Sequence, residues 1–170
     1  SFLAEGSVAA LTYAFRLVQF PIGVIGVAIA TGALPVMAAF AARDAMGDMK
    51  EALQISLRLA FFLTLPAIVG LAVFRLPILH ILFERGAFTR PVTLLTADIL
   101  MGYAVGLCFY VGNRILAPAF YAVHDTWTPV RTAMMAVGVN IAASILLMQP
   151  LGATGLALAT AIASASNFLL

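Results

Sequence analysis

The sequence predicts an all-α, polytopic transmembrane bundle of about five spans. From Thr132 to Leu170 no residue is charged, and only the turn-like segment 149–152 interrupts this stretch. The whole chain is 64% hydrophobic and 9% charged, with a mean hydropathy of +1.10, whereas soluble proteins average roughly 45–50% apolar and 25% charged residues. A charge-free run of about 18 or more apolar residues matches the hydrocarbon core of a bilayer, so the solvent for this protein is lipid.

Charge clusters and proline or glycine punctuation separate the predicted spans. We place the spans at residues 8–42, 52–83, 93–122, 130–148 and 153–170. Pro21 and Pro35 are expected to bend the first span, and the polar segment 43–51 follows it as an aqueous loop. Pro66 lies in the middle of the second span, which a second polar loop at 84–91 closes.

The last three spans are rich in small residues. Gly102, Gly106 and Gly112 in the third span let neighbouring backbones approach closely. Trp127 follows that span as an expected interfacial anchor. The fourth and fifth spans are rich in Ala, Gly and Ser, which in a bilayer marks faces of close helix contact. Because the chain begins at the edge of a span and ends inside one, we expect a single partial domain of a longer polytopic protein.

Composition excludes several classes of function. A formal charge of +2, dispersed along the chain, does not favour a nucleic-acid partner. Cys108 is the only cysteine, so it has no intrachain partner for a disulfide or a zinc site. His80 and His124 lie apart in sequence, and we predict neither a metal site nor a cofactor. No Ser/His/Asp set, paired carboxylates or phosphate-cradling glycine loop is present, so we do not expect an enzyme.

Arg16 is the principal candidate for function, because it lies inside an apolar helix. Tyr13, Arg16, Gln19 and Gly23 follow one another at i, i+3, i+6 and i+10, which predicts a shared cavity-lining stripe. A guanidinium in a membrane helix costs about 2.5–3.5 kcal/mol on insertion scales, so it requires a wet cavity, an acidic partner or an anionic ligand. Its planar fork suits phosphate. The alternative interpretation is that Arg16 extends to the lipid headgroups and Tyr13 belongs to an aromatic belt.

Two further polar groups lie in the predicted spans. Asn140 and Ser144 are at i and i+4 in the fourth span, and Thr160 should lie at a similar depth in the fifth. These three residues are candidates for a coupling-cation site or, alternatively, for hydrogen bonding between helices. Arg114, with Asn113, is interpreted as extending to the interface or as making an interhelical hydrogen bond, with a substrate contact as the alternative.

Several motifs resemble those of one transporter family. They are segment 13–31 (YAFRLVQFPIGVIGVAIAT), Leu34-Pro35, segment 57–59 (LRL), Leu65-Pro66, Pro77-Ile78, segment 82–89 (LFERGAFT), segment 117–122 (APAFYA), Asp125-Thr126 and Thr128-Pro129. In order and spacing they resemble the MurJ (MviN) lipid II flippase family, over essentially the whole chain. Trp127 departs from the family's pattern, which more often has a small basic or polar residue there.

This resemblance implies a more specific identity than composition does. It implies spans eight through twelve of a fourteen-helix, multi-pass protein of the bacterial inner membrane, with the first lobe and the last two spans absent. The fold is similar to that of multidrug-and-toxin exporters, with segment 43–51 cytoplasmic. The family moves lipid II, the undecaprenyl-pyrophosphate-linked peptidoglycan precursor, to the outer leaflet for cell-wall biogenesis. By position, Arg16 corresponds to a cavity arginine thought to contact the pyrophosphate.

The resemblance also implies the partners. They are lipid II, the membrane lipids and the remainder of the full-length transporter. Two alternatives stay open: an exporter of polysaccharide precursors or drugs from the same superfamily, and a membrane scaffold that transports nothing. The scaffold predicts that a carboxylate of the protein neutralises Arg16, and no acidic residue lies near it in this sequence.

Overall fold

The computed structural model describes residues 6–84 and 88–170, and within those ranges it is helical without strands. The elements are α1 (Ser7–Pro21), a π-helical segment (Ile22–Val27), α2 (Ala28–Ala42), α3 (Met46–Phe83), α4 (Arg90–Val105), α5 (Leu107–Ala122) and α6 (Trp127–Leu169). Ser7–Ala42, α3 and α6 are each long and apolar enough to cross a membrane, and so are α4 and α5 when this bent pair is counted as one span. The prediction of an all-α, multi-pass membrane bundle is confirmed.

The first span is continuous but changes its helical form after Pro21. Proline has no N–H to donate and its ring crowds the preceding turn, so the regular α-helical hydrogen bonding cannot continue through it. The structure accommodates Pro21 with the π-helical segment and then returns to α-helix at Ala28. Pro35 lies inside α2, which is helical on both sides of it.

Glycines break the third span and kink the last two. The sequence predicted a third span over 93–122, and in that segment the structure has two helices, α4 and α5, which meet at Gly106 with a bend of 45°. Gly106 is pressed against α6, because a Cβ there would lie 2.7 Å from the Cβ of Ala161. In α6 the predicted turn at 149–152 is reduced to Gly152, whose φ of 56° and ψ of −130° are non-helical. This kink divides α6 at the predicted boundary between the fourth and fifth spans.

Polar residues define the helix ends outside the apolar spans. Asp44 and His124 have φ of 57° and 60°, and each follows the end of a helix. Asp and His adopt this left-handed conformation more readily than β-branched residues do. The N–H groups that follow each helix then donate to carbonyls of its last turn, as Ala45 N–H does to the Phe40 oxygen and Asp125 N–H to the Phe120 oxygen. The Asp125 carboxylate then accepts hydrogen bonds from the backbone N–H groups of Trp127 and Thr128, each at 3.0 Å, and so fixes the start of α6.

Small residues bring the helices together around one core. α1 packs on α4, α2 packs on α3 and α5, and α6 packs on both α4 and α5. Gly102 also lies close to the second half of α6, since a Cβ on it would lie 2.9 Å from the Cβ of Ala157. The fully buried side chains at the centre are Ala10, Ala14, Val18, Ala60, Ile99, Leu100, Leu107, Val111, Ile115 and Ala157. In lipid the hydrophobic effect does not drive helices together, so the van der Waals contacts of this close packing stabilise the bundle instead.

Candidate functional site

The candidate site lies on the face of α1 that no other described helix covers. Arg16, Gln19 and Gly23 are all exposed there. At 100° per residue Gln19 lies about 60° from Arg16 and Gly23 about 20°, on the same side. The opposite face of α1, with Ala14 and Val18, is completely buried. Three of the four predicted stripe residues therefore share one open face.

Tyr13 lies to the other side of Arg16 and does not belong to this face. Its ring packs 4.8 Å from that of Phe83 and 5.3 Å from that of Phe88, measured between centroids. The reason is geometric, because the predicted stripe turns by about 120° between Tyr13 and Gln19, which is too wide for one face. Tyr13 instead fixes α1 to the end of α3, a location that fits the aromatic-belt interpretation.

Arg16 is a charged group without a partner among the described residues. Within residues 6–84 and 88–170 it makes no hydrogen bond, and the ion pair found there joins His80 to Glu84 instead. Arg16 lines one end of an apolar groove between α1, the π-helical segment and α3. The sequence-based alternative of an acidic partner on a described helix is therefore not observed.

A second concavity begins on the other side of the same face. It is a cavity of about 510 Å³, and Gln19 and Arg114 both line it. Its other polar lining residues are Tyr110, Asn113, Tyr121, Thr160 and Ser164. The sequence analysis did not place Arg114 and Gln19 in one cavity. Gln19 and Arg114 come together because α5 packs beside α1 and the π-helical segment. No short sequence motif predicts that packing.

Arg16 and Arg114 lie at different depths. The ring of Phe15 packs 5.5 Å from that of Tyr103, while a Cβ on Gly26 would meet the side chain of Arg114 at 3.6 Å. These two contacts show that the first and third spans run in the same direction. Arg114 is therefore level with Gly26, ten residues beyond Arg16, a separation of about 15 Å along the helix.

The structure brings together two of the three residues of the predicted cation site. The Asn140 side-chain amide lies 3.5 Å from the hydroxyl oxygen of Thr160, a long hydrogen bond between the two halves of α6. Ser144 makes no hydrogen bond within the described part of the chain. Both Asn140 and Thr160 line a shallow cavity of about 270 Å³.

A shorter pair of hydrogen bonds lies beside that cavity. The Asn113 side-chain amide donates to the backbone carbonyl and to the hydroxyl of Ser164, each at 3.0 Å. The sequence analysis offered an interhelical hydrogen bond as one interpretation of Arg114 and Asn113. In the structure Asn113 makes this bond. No group of three or more His, Cys, Asp or Glu side chains suited to a metal occurs among residues 6–84 and 88–170.

A polar cluster at the end of α3 lies outside the apolar span. His80 Nδ1 is 2.9 Å from Glu84 Oε2, and the Thr93 hydroxyl donates to the same oxygen at 3.0 Å. The hydrogen bond from His80 is the main reason that the pKa of Glu84 lies below its ordinary value, with Thr93 contributing and burial opposing. The cluster joins α3 to α4, because the Glu84 carboxylate is bound by His80 of α3 and Thr93 of α4.

The chain matches one family of proteins over its full length. A family model described as "Lipid II flippase MurJ" matches residues 1–170. A probable lipid II flippase MurJ of Rhizobium tropici is 43% identical over 166 residues, which are 96% of this chain and 31% of that protein. The corresponding protein of Thermotoga maritima is 36% identical and is matched by 99% of this chain over 35% of its own length.

A solved structure has the same arrangement of helices. A lipid II flippase MurJ in an inward closed conformation superposes with a TM-score of 0.88 at 32% identity, over 98% of this chain and 35% of that one. The chain therefore spans about one third of the length of the relatives it matches. These relatives are named as flippases, which does not favour the alternatives of a polysaccharide or drug exporter or of a scaffold.

Proposed function

Because this chain belongs to the lipid II flippase MurJ family, we propose that it is one segment of a lipid II flippase of the bacterial inner membrane. The full-length transporter that carries this segment moves the undecaprenyl-diphosphate-linked peptidoglycan precursor to the outer leaflet. It works by alternating access and makes or breaks no covalent bond. Its partners are lipid II, the surrounding membrane lipids and the remainder of the transporter.

The observation that supports this proposal is the guanidinium of Arg16, which no described residue pairs with, on an open face of a membrane helix. A diphosphate cannot cross hydrocarbon without a counter-charge held in a wet cleft, while the prenyl chain stays in the lipid. Arg16 can supply that charge and two parallel hydrogen bonds to phosphate oxygens. Gln19 and Gly23, on the same face, leave room for the headgroup and offer it a neutral polar contact.

The bent helices support a mechanism in which the segment changes shape. π-helical turns and proline kinks are points at which a helix can bend without losing its backbone hydrogen bonds elsewhere. The π-helical segment follows Arg16 directly, so bending there changes the direction of α1 relative to α2. The proposed coupling-cation role of Asn140, Ser144 and Thr160 stays a prediction, and the contact between Asn140 and Thr160 serves equally well to hold α6 folded at Gly152.

Substitution of Arg16 tests the proposal. The full-length transporter would be reconstituted in vesicles with fluorescent lipid II, and the rate at which lipid II changes leaflet would be measured. A hydrogen bond to a charged group contributes about 1.5–3 kcal/mol, so Arg16→Ala should lower the affinity for lipid II by roughly tenfold to a hundredfold. Arg16→Lys keeps the charge but loses the fork, and it should be intermediate.

Arg131→Ala is the matched control, since Arg131 is also an exposed arginine, in the first turns of α6. It should leave both flipping and affinity unchanged. If Arg16→Ala flips lipid II at the wild-type rate at equal protein content, Arg16 has no part in the mechanism. If both arginine variants lose activity equally, the loss reflects surface charge rather than recognition of the diphosphate.

A further inference from the structure

A pocket at the junction of α3 and α4 combines two opposite charges with an apolar wall. It has a volume of about 400 Å³ and lies where α3 ends and α4 begins. Its polar lining residues are His80 and Glu84 at the end of α3, and Arg90 and Thr93 at the start of α4. Arg16 does not line this pocket, which is therefore separate from the candidate site on α1. The apolar lining residues are Leu76, Pro77, Ile81 and Leu94.

One oxygen of the Glu84 carboxylate is not used by the described residues. His80 Nδ1 and the Thr93 hydroxyl both contact the other oxygen, Oε2, at 2.9 and 3.0 Å. Within residues 6–84 and 88–170, Oε1 accepts no hydrogen bond. The hydrogen bond from His80 is the main reason that the pKa of Glu84 is lowered, so the carboxylate is ionised at neutral pH. Oε1 therefore offers a charged acceptor to a ligand that donates hydrogen bonds.

A cation lies near this carboxylate without pairing with it. The Arg90 side chain is exposed, and it makes no hydrogen bond or ion pair with a described residue. Its charge contributes to the low pKa of Glu84, which shows that the two groups are near each other. A guanidinium binds phosphate oxygens through two parallel hydrogen bonds. The pocket can therefore bind a ligand in which a phosphate and a cation are neighbours.

The apolar wall extends from these charges into the bilayer. Leu76, Pro77 and Ile81 precede Glu84 on α3, and Leu76 lies eight residues, or about 12 Å, further into the span. Leu76, Ile81 and Leu94 are 41%, 65% and 48% exposed, so no described helix covers this wall. The pocket has its charges at the end of the span and its apolar surface inside the span. Headgroup and acyl chains follow in the same order in a phospholipid.

We propose that this pocket binds a phospholipid with an ethanolamine headgroup. The phosphate contacts Arg90, the ammonium donates to Oε1 of Glu84, and one acyl chain lies along the apolar wall. A short ethylene link joins the phosphate to the ammonium in this headgroup, which suits two opposite charges that are near each other but not paired. The proposal depends neither on Arg16 nor on the transport of lipid II.

The pocket discriminates against two other common phospholipid headgroups. A choline headgroup has a quaternary ammonium without an N–H group, and proteins recognise it with aromatic rings. None of the described residues that line this pocket is Phe, Tyr or Trp. A glycerol headgroup has no cation, so it brings no counter-charge to Glu84. Of the three headgroups, ethanolamine alone satisfies both charges of the pocket.

Photocrosslinking in a mixed bilayer tests this headgroup preference. A benzophenone amino acid replaces Leu94 in the full-length transporter. The vesicles contain equal amounts of dioleoyl phosphatidylethanolamine, phosphatidylcholine and phosphatidylglycerol, and one of these lipids is radiolabelled in each experiment. Labelling at position 94 by the ethanolamine lipid should exceed labelling by each other lipid at least fivefold, which corresponds to about 1 kcal/mol. The control position is Ile145 on α6, which is 60% exposed and should be labelled equally by all three lipids.

Several results of this experiment would overturn the proposal. Equal labelling by the three lipids at position 94 would show that the headgroup is not recognised. Equal labelling by the glycerol and ethanolamine lipids would show that only the phosphate is recognised. A crosslink to another helix of the transporter would show that protein fills the pocket. Suppression of labelling by O-phosphoethanolamine, at a concentration equal to that of the lipid, would show that the site takes a soluble molecule.

Substitutions separate the contributions of the two charges. Glu84→Gln removes the negative charge, so labelling by the ethanolamine lipid should fall to the level of the choline lipid. Thr93→Val is the matched control, because it removes a hydrogen bond to the same carboxylate but leaves the charge, and the preference should persist. Arg90→Ala should lower labelling by the ethanolamine lipid about threefold, or about 0.7 kcal/mol. Arg131→Ala, at an exposed arginine of α6, should not change it.

Arg90→Ala keeps the proposal testable if Glu84→Gln does not fold, because Arg90 makes no hydrogen bond in the cluster around Glu84. If Arg90→Ala leaves labelling by the ethanolamine lipid unchanged, the proposal is wrong. It is also wrong if folded Glu84→Gln keeps the fivefold preference. Neither outcome bears on the assignment of the diphosphate to Arg16, which the measurement of lipid II flipping tests separately.

Discussion

The contact between Gly102 in α4 and Ala157 in α6 can be tested by substituting alanine for the glycine and glycine for the alanine. We expect this contact to stabilise the bundle. In Gly102→Ala the new Cβ would lie 2.9 Å from the Cβ of Ala157, and next 3.3 Å from two backbone atoms of α6. The first contact is too short and involves a side-chain methyl. In the double variant Gly102→Ala/Ala157→Gly that methyl is removed, and the contacts that remain are tight but tolerable.

The expected free energies follow from these distances. Overpacking a tight contact destabilises a protein by about 1–3 kcal/mol. Replacing glycine by alanine inside a helix stabilises it by about 0.5–1 kcal/mol. Gly102→Ala alone should therefore destabilise the protein by about 1–2 kcal/mol. In the double variant the helix propensities of the two positions nearly cancel. The coupling energy between them should then be about 1–3 kcal/mol in favour of the pair.

At Gly106 the corresponding double variant, Gly106→Ala/Ala161→Gly, should not recover the stability that Gly106→Ala loses. A Cβ on Gly106 would lie 2.7 Å from the Cβ of Ala161 and also 2.8 Å from its Cα, and Ala161→Gly removes only the first of these atoms. Unfolding free energies of all six variants would be measured by denaturant titration of the full-length transporter in mixed micelles. A coupling energy below about 0.5 kcal/mol at Gly102, the usual limit of additivity, would refute the argument, as would equal rescue at Gly106.

Three other predictions concern single elements. Gly152→Ala should destabilise the protein by about 1–3 kcal/mol in the same titration, because its positive φ suits glycine, whereas the helical control Gly138→Ala should be neutral or stabilising; equal effects would contradict this. Asn113→Ala should cost about 0.6–1.7 kcal/mol, and a double-mutant cycle with Ser164→Ala should assign most of that cost to their contact rather than to either residue alone. The pKa of Glu84 is lowered on folding, so its stabilisation is complete above its ordinary value of 4.5 and is lost as pH falls below it. Glu84→Gln should therefore lower the melting temperature at pH 7, and the difference should shrink as pH falls below 4.5; a difference that does not shrink at low pH would exclude the ionised carboxylate as its cause.

The spans and the open face of α1 could be predicted from the sequence because both depend on local properties. A membrane span follows from the length of an apolar run, and the shared face of Arg16, Gln19 and Gly23 follows from the helical repeat. The same repeat shows that Tyr13 lies on another side.

The two concavities beside α1 could not be predicted in this way. Gln19 and Arg114 share a cavity only because the first and third spans pack in parallel at one particular axial offset. The break at Gly106 is also non-local, since glycine is common in membrane helices and only the closeness of Ala161 distinguishes this one. Contacts between distant segments determine both the shared cavity and the break at Gly106. No short sequence motif predicts these contacts.

The π-helical segment has a consequence for how this protein tolerates insertions and deletions. Ala10, Ala14, Val18, Ile22, Gly26 and Ala30 are buried at a constant interval of four residues. In a pure α-helix that interval drifts by about 40° at each step, so six such residues would wind around the helix. The wider turn at 22–27 slows this drift and keeps them facing the same neighbours. Loss of one residue from this turn would rotate α2 by about 100° relative to α1, and Met37 would leave the core.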